Sequence, residues 1–272
     1  MEETLLRDHN EFFAYKDFFE LLEKYKQRSV AWRAHFEPRD LVQDDYAPTY
    51  TYEQLVPLTR DCQEDELVRK QLLDVLQNRR SDTFGEGRSK WKLSDLSKLL
   101  AFAAGTRPTD VFVPEASDPI HFRTYPSGGA MYSVLLFLIT KGIEGLPDGL
   151  YRYGAEANAL YRFGDPVSQV EIEQLFPVTQ FRLSAQADSL TESPVFIFFV
   201  SNYRYLFQKY GFASYPLSLL EAGHICQNIQ LMSTALGKSS RPVAGLFADR
   251  IEKLLGIRNR KYLHCVYSVI LW

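Results

Sequence analysis

Several clusters of side chains in this sequence have the composition to do chemistry. Arg123-Thr124-Tyr125-Pro126-Ser127-Gly128-Gly129-Ala130-Met131-Tyr132 sets a base, a proline, a hydroxyl and paired glycines ahead of an apolar run. Glycines lack Cβ, so the main chain can lie close against a ligand, and successive N–H groups in such a turn can face an anion or a ring acceptor. A bare Ser-Gly-Gly also fits an ordinary loop entering a strand. Arg79-Arg80-Ser81 places two guanidinium groups beside a hydroxyl; forked donors suit a phosphate, and a solvated helix end is the plainer alternative. Residues 235–245 form a glycine-bounded stretch holding Lys238, Ser239, Ser240 and Arg241, which fits either anion binding or solvent exposure. Lys209-Tyr210 stands just before a long apolar segment, and only that place lifts it above a surface pair.

Other candidates carry less. His224 on an apolar helix reads as a satisfied core histidine. Glu221 lies about a turn away, and without a third ligand-type residue nearby the two make no metal site. Gln227 and Asn228 fit either bracing of a cofactor loop or ordinary core hydrogen bonds. Cys62, Cys226 and Cys265 are far apart with no Cys-x-x-Cys spacing, so neither a zinc knuckle nor a redox pair is expected, and the sparse count fits a reducing cytoplasm.

The chain has 272 residues, 46% hydrophobic and 14% aromatic, which suits one good-sized domain with an appendage. With 31 basic against 34 acidic residues the net charge of −3 gives no surplus for nucleic acid as the main partner, although a local basic groove stays open. The first residues are charged and lack the apolar core of a signal peptide. No run approaches the roughly 20 apolar residues of a membrane helix, and a cytoplasmic location is expected.

Periodicity supplies the elements that must position these groups. Residues 10–33 read as one or two amphipathic helices, 38–57 as an extended or irregular connector, and 64–76 as a further helix. Residues 93–105 form a helix with a serine near its start and a glycine stop. The apolar runs 133–140 and 194–200 read as buried strands, 149–154 and 159–164 as a hairpin, and 262–272 as a terminal strand. Residues 216–232 form a central helix with Pro216 in its first turn, and 247–257 a short one. The division expected is 1–75 as a helical and irregular extension and 76–272 as the main domain.

Taken together, Pro126-Ser127-Gly128-Gly129-Ala130-Met131-Tyr132, Gly149-Leu150-Tyr151-Arg152-Tyr153, Lys209-Tyr210 and Leu219-Leu220-Glu221-Ala222-Gly223-His224 resemble the SagB-type dehydrogenases. These form the flavin-dependent branch of the nitroreductase superfamily that includes the azoline oxidases of microcin-type synthetases. The resemblance covers about residues 76–272. It implies an α+β fold with a mixed β-sheet flanked by helices, and a homodimer binding FMN at its interface. By the same resemblance Arg79, Arg80, Ser81, Arg123, Ser127, Gly128, Gly129, Lys238 and Arg241 hold the cofactor, and Lys209 and Tyr210 are catalytic. Oxidation of a peptide thiazoline or oxazoline to its azole sends a hydride to the flavin and a proton to a base, so a positioned base is required.

The implied companions are a precursor peptide, a YcaO-type cyclodehydratase and an E1-like or leader-binding subunit, with oxygen as final acceptor. This chain departs from the pattern in two places. The last arginine of an Arg-Arg-Ser-x-Arg motif is missing, Asp82 and Thr83 standing near it, and Ala213 and Pro216 occupy positions where related chains place arginines. The alternatives are a nicotinamide-driven reductase of nitro compounds or quinones, against which Lys209-Tyr210 argues, and an assembly subunit that keeps the fold without turnover. No Gly-x-Gly-x-x-Gly opens a strand–helix unit, so tightly bound nicotinamide is not expected.

Overall fold

A computed structural model of the protein describes residues 51–59, 72–81, 90–107, 121–177 and 192–272. The helices expected over residues 10–33 lie outside the described residues. Continuous apolar strands dictate the centre: β2 (Val134–Thr140) and β5 (Val195–Asn202) lie side by side in the middle of a sheet. Around them are β1 (Gln54–Pro57), β3 (Gly149–Gly154), β4 (Ala159–Gly164), β6 (Ser240–Val243) and β7 (Leu263–Leu271). The strand order is β1-β4-β3-β2-β5-β7-β6.

Successive side chains on a strand point to opposite faces. Leu136 and Leu138 of β2, with Ile197 and Phe199 of β5, meet Leu96, Leu99 and Leu100 of α2 (Leu93–Ala104) and Ala222, Ile225 and Ile229 of α5 (Ser214–Ala235). Their neighbours Phe137, Ile139, Phe196 and Phe198 face the other way. There they meet Ile172 of α3 (Gln169–Glu173), Phe176, and Ile251 of α6 (Ala248–Leu254). Both faces are covered, so neither strand alternates with polar residues. Phe137, Phe196 and Phe198 are fully buried, and burial of each such side chain stabilises the fold by roughly 1.5–3 kcal/mol.

The α+β architecture is the one expected, with one difference. Every pairing between described strands is antiparallel, where the resemblance implies a mixed sheet. Continuous apolar runs report burial on two faces and are blind to strand direction.

Four elements are hidden in the sequence, the five-residue α3 among them. Residues 54–57, inside the expected connector, add β1 to the β4 edge. Leu58 and Asn158 exchange backbone and side-chain hydrogen bonds there, and Arg152 donates to the Tyr52 hydroxyl at 3.0 Å. Pro57 is tolerated because this strand is outermost. Residues 240–243, inside an expected loop, form β6 on β7. Before α5 comes a separate helix, α4 (Tyr203–Tyr210), capped by the Asn202 side chain accepting from Arg204 N–H at 3.2 Å. Tyr203, Leu206, Phe207 and Tyr210 fall at helical spacing, but over eight residues with Leu206 alone buried the pattern is too short to set this helix apart from α5. Gly211 (φ +55°) ends it and turns the chain into α5, a conformation that favours glycine. Of the helix expected over 64–76, α1 (Leu72–Asn78) is described.

Candidate active site

The loop ahead of β2 is held from α5. Glu221 is 2% exposed. Its Oε2 accepts from Ser127 Oγ at 2.7 Å and Ser133 Oγ at 3.1 Å, and its Oε1 accepts from Val134 N–H at 2.9 Å. Ser127 Oγ in turn accepts from Tyr132 N–H at 2.9 Å. Hydrogen bonds to a charged partner contribute about 1.5–3 kcal/mol each. They hold a backbone that would not persist alone: Gly129 (φ +63°), Ala130 (φ +55°) and Tyr132 (φ +47°) are all left-handed. Non-glycine residues there cost about 1–3 kcal/mol each, and such strain survives only where the surroundings over-determine it.

The same loop meets the end of α4. A Cβ at Gly129 would collide with the Tyr210 hydroxyl and lie 2.9 Å from Lys209 Nζ. Glycine suits the position for φ, and a larger residue would have to push the Tyr210 and Lys209 side chains aside. Lys209 Nζ sits 5.5 Å from the centre of the Tyr210 ring, and a cation in the last turn suits the negative end of the helix dipole. A base-type side chain and a phenol, distant in sequence from the loop, thus face the glycine pair. Beside them, a Cβ at Gly128 would meet Leu217 of α5 at 3.3 Å.

Further contacts brace the loop from behind. Arg123 Nη1 donates to the Tyr125 hydroxyl at 2.8 Å, its guanidinium lies 4.9 Å from the centre of the Tyr132 ring, and its N–H donates to the Tyr132 hydroxyl at 3.0 Å. Burial disfavours the Arg123 charge, but Tyr125 and Glu221 more than offset this, so the guanidinium titrates above its ordinary value. Burial pushes the Tyr125 phenol up. His224 Nδ1 lies 3.2 Å from Pro126 O, and Asn228 Nδ2 donates to Ala103 O at 3.2 Å and Thr124 O at 3.4 Å.

A second station lies further along α5. Arg79, Arg80 and Lys238, from segments expected to serve one anion, line a cleft of about 410 Å³ with Gln77, Asn78, Thr234 and Ser239. Lys238 is largely committed: its Nζ donates to Lys90 O at 2.8 Å, pairs with Asp95 at 3.1 Å and lies over the Trp91 ring. Arg79 and Arg80 supply the rest of the positive charge. Ser81 Oγ accepts from Gln230 Nε2 at 3.2 Å. Arg241, on β6, lies opposite Ile270 and does not line the cleft. From Glu221 at the loop to Thr234 at the cleft is roughly 20 Å of helix axis.

This fold and these motifs have relatives. The Nitroreductase family profile matches residues 88–270. The chain belongs to the nitroreductase family. It is 25% identical over 206 residues to a protein of Methanocaldococcus jannaschii described as a nitroreductase, covering 74% of this chain and 92% of that one. It is 28% identical over 144 residues to the microcin B17-processing protein McbC of Escherichia coli, covering 51% of this chain and 50% of the relative. Among solved structures, a nitroreductase-type protein of Anabaena variabilis matches with a TM-score of 0.57 and 22% identity over 74% of this chain, which spans 37% of that protein's length. The E. coli microcin synthetase McbBCD complex with truncated pro-MccB17 matches with a TM-score of 0.55 and 17% identity, covering 94% of this chain and 92% of the matched one.

In this nitroreductase-family oxidoreductase the expected residues fall into two groups. Lys209, Tyr210, Ser127, Gly128 and Gly129 come together at one end of α5, and Arg79, Arg80, Ser81 and Lys238 at the other. Arg123 is wrapped by tyrosines, and the Ser127 hydroxyl is engaged by Glu221 and Tyr132. Sequence reasoning misses Glu221, weighing it only as a metal ligand. A carboxylate on an apolar helix face, separated by whole turns from Ser218 and Ile225, is the available signal. Among the described residues no cluster of three or more His, Cys, Asp or Glu side chains could hold a metal, and no helix is long and apolar enough to cross a membrane.

Proposed function

We propose that the protein is an FMN-dependent dehydrogenase that oxidises thiazoline or oxazoline rings of a ribosomally made peptide to thiazoles or oxazoles. The observation that carries this reading is the seating of Lys209 and Tyr210 against Gly129. A reductase that delivers a hydride to a nitro group or quinone has no use for a built-in base, whereas azoline oxidation requires one. The likeness to a microcin B17-processing protein, and in fold to a chain of a microcin synthetase complex, supports the same direction.

The residues present fit the cofactor. The cationic cleft at Arg79, Arg80 and Lys238 suits a phosphate, and the glycine pair, which lets the main chain approach closely, suits a flat ring. FMN, when bound, supplies the acceptor for the hydride, with oxygen reoxidising it. This chain's own part is positional and acid–base. In its neutral form Lys209 Nζ takes the proton released from the azoline ring. Tyr210 orients the ring or passes that proton on. Ser127, Gly128 and Gly129 set the surface against which both work. Because the cleft and the loop sit at different stations of α5, we also place the cofactor between two copies of the chain. A precursor peptide, a YcaO-type cyclodehydratase and an E1-like or leader-binding subunit complete the assembly in this reading.

The test is a visible spectrum of the purified protein, the mass of the chromophore released by heat, and then incubation with a cyclised peptide. Bound FMN and loss of two hydrogen atoms per ring are expected. Bound FMN with nicotinamide-driven nitro or quinone reduction and no azole would favour the reductase. A protein colourless even with added FMN would favour an assembly role.

A further inference from the structure

We infer that Glu221 is the positioning residue of this site: its buried carboxylate fixes the 127–134 turn and, through Gly129, the placement of the loop against Lys209 and Tyr210. The catalytic part of this inference rests on the dehydrogenase reading above; the structural part does not. An ionised carboxylate is an acceptor only, and here each partner is a donor: the Ser127 and Ser133 hydroxyls on Oε2 and the Val134 N–H on Oε1. The bonds grip both ends of the turn, Ser127 before the glycines and Ser133-Val134 after them. The left-handed run Gly129, Ala130 and Tyr132 lies between these fixed points. Ser127 extends the grip by accepting from Tyr132 N–H.

The grip also has a direction. Glu221 stands on α5, the helix that enters from α4 through Gly211–Ala213. The element that carries Lys209 and Tyr210 and the element that holds the loop are therefore continuous chain. With Gly129 packed against both side chains, any slack at Glu221 opens the gap that the base must span. Glutamine in its place would turn an NH₂ toward donors and leave at least one of them without an acceptor.

Hydrogen exchange on the full-length protein without added flavin tests this directly. In Glu221→Ala the Tyr132 and Val134 amides should exchange about 10- to 100-fold faster, while β5 and β7 amides keep wild-type protection. Ser127→Ala, which removes the acceptor of Tyr132 N–H but leaves Glu221 on Ser133 and Val134, should speed exchange at Tyr132 while Val134 keeps nearly wild-type protection. On the flavin-loaded protein Glu221→Gln should lower kcat for an azoline peptide with less change in KM.

Wild-type exchange at Tyr132 and Val134 in Glu221→Ala would overturn the inference. So would protection lost throughout β5 and β7 in that variant together with wild-type exchange in Ser127→Ala, which would make Glu221 a general core residue. Unchanged kcat in Glu221→Gln despite faster loop exchange would overturn the positioning role. A wild-type protein without azoline turnover would instead defeat the functional reading and leave the exchange result standing.

Discussion

At the scale of single residues, the proposed chemistry turns on a lysine set against a glycine. Lys209→Ala should keep the yellow cofactor yet lose azole formation by about 100-fold or more, the usual contribution of a positioned base. Loss of flavin together with activity would make Lys209 structural. Gly129→Ala adds a methyl where the Tyr210 hydroxyl sits and forces alanine to φ +63°. The backbone part alone costs about 1 kcal/mol, and displacement of Tyr210 should lower turnover further while the melting temperature falls only modestly. Full activity in that variant would mean the contact has no role. The glycine pair is legible as a turn from sequence, but its partner is not, because nothing in local sequence records which side chain a glycine makes room for.

Elements explain what the residues cannot. Arg79 and Arg80 follow α1 and Lys238 follows α5, yet they line one cleft, because α1 packs on the C-terminal part of α5. Replacing both arginines with alanine should weaken FMN retention by roughly 10- to 100-fold per charge-assisted bond lost, measured by fluorescence titration of apoprotein. Unchanged affinity would move the phosphate elsewhere. Helices α2 and α5 and strands β2, β5 and β7 are legible because each buries a wide apolar face or runs apolar for most of its length, and β3 and β4 because two similar short runs flank a polar turn. Strands β1 and β6 are not, since each is short, sits at a sheet edge and contains a proline. Helix α4 is hidden for a related reason: its eight residues are fewer than a helical period needs to stand out. The Glu221 latch escapes because a polar residue inside an apolar helix signals some partner without saying which.

The whole molecule depends on both sheet faces being sealed and on β1 and β6 completing the sheet. A chain starting at residue 60 lacks β1, keeps α1 and bares the backbone of β4, so it should melt at lower temperature and aggregate more readily than the full chain. Equal melting temperatures would show that β1 is ornamental. The sealed core also predicts a pH response. Burial pushes the Cys226 and Cys265 thiols up to about 12 from an ordinary 9.0. The folded state thus keeps protons that the unfolded chain releases near pH 9, so this contribution to stability is whole below that pH and is lost as pH rises toward 12. Melting temperature should fall between about pH 9 and 11, and both thiols should resist alkylation at about pH 8 until the protein unfolds. Labelling in the native state as fast as in urea would contradict that burial.

The most direct measurement of the central claim is mass spectrometry of a cyclised thiazoline peptide incubated with the FMN-loaded protein and, in parallel, with its Lys209→Ala variant at matched flavin content. Loss of two hydrogen atoms per ring is expected with the wild type and unaltered rings with the variant. Equal oxidation by both proteins, or none by a flavin-loaded wild type, would contradict the assignment of Lys209 as the base of an azoline dehydrogenase.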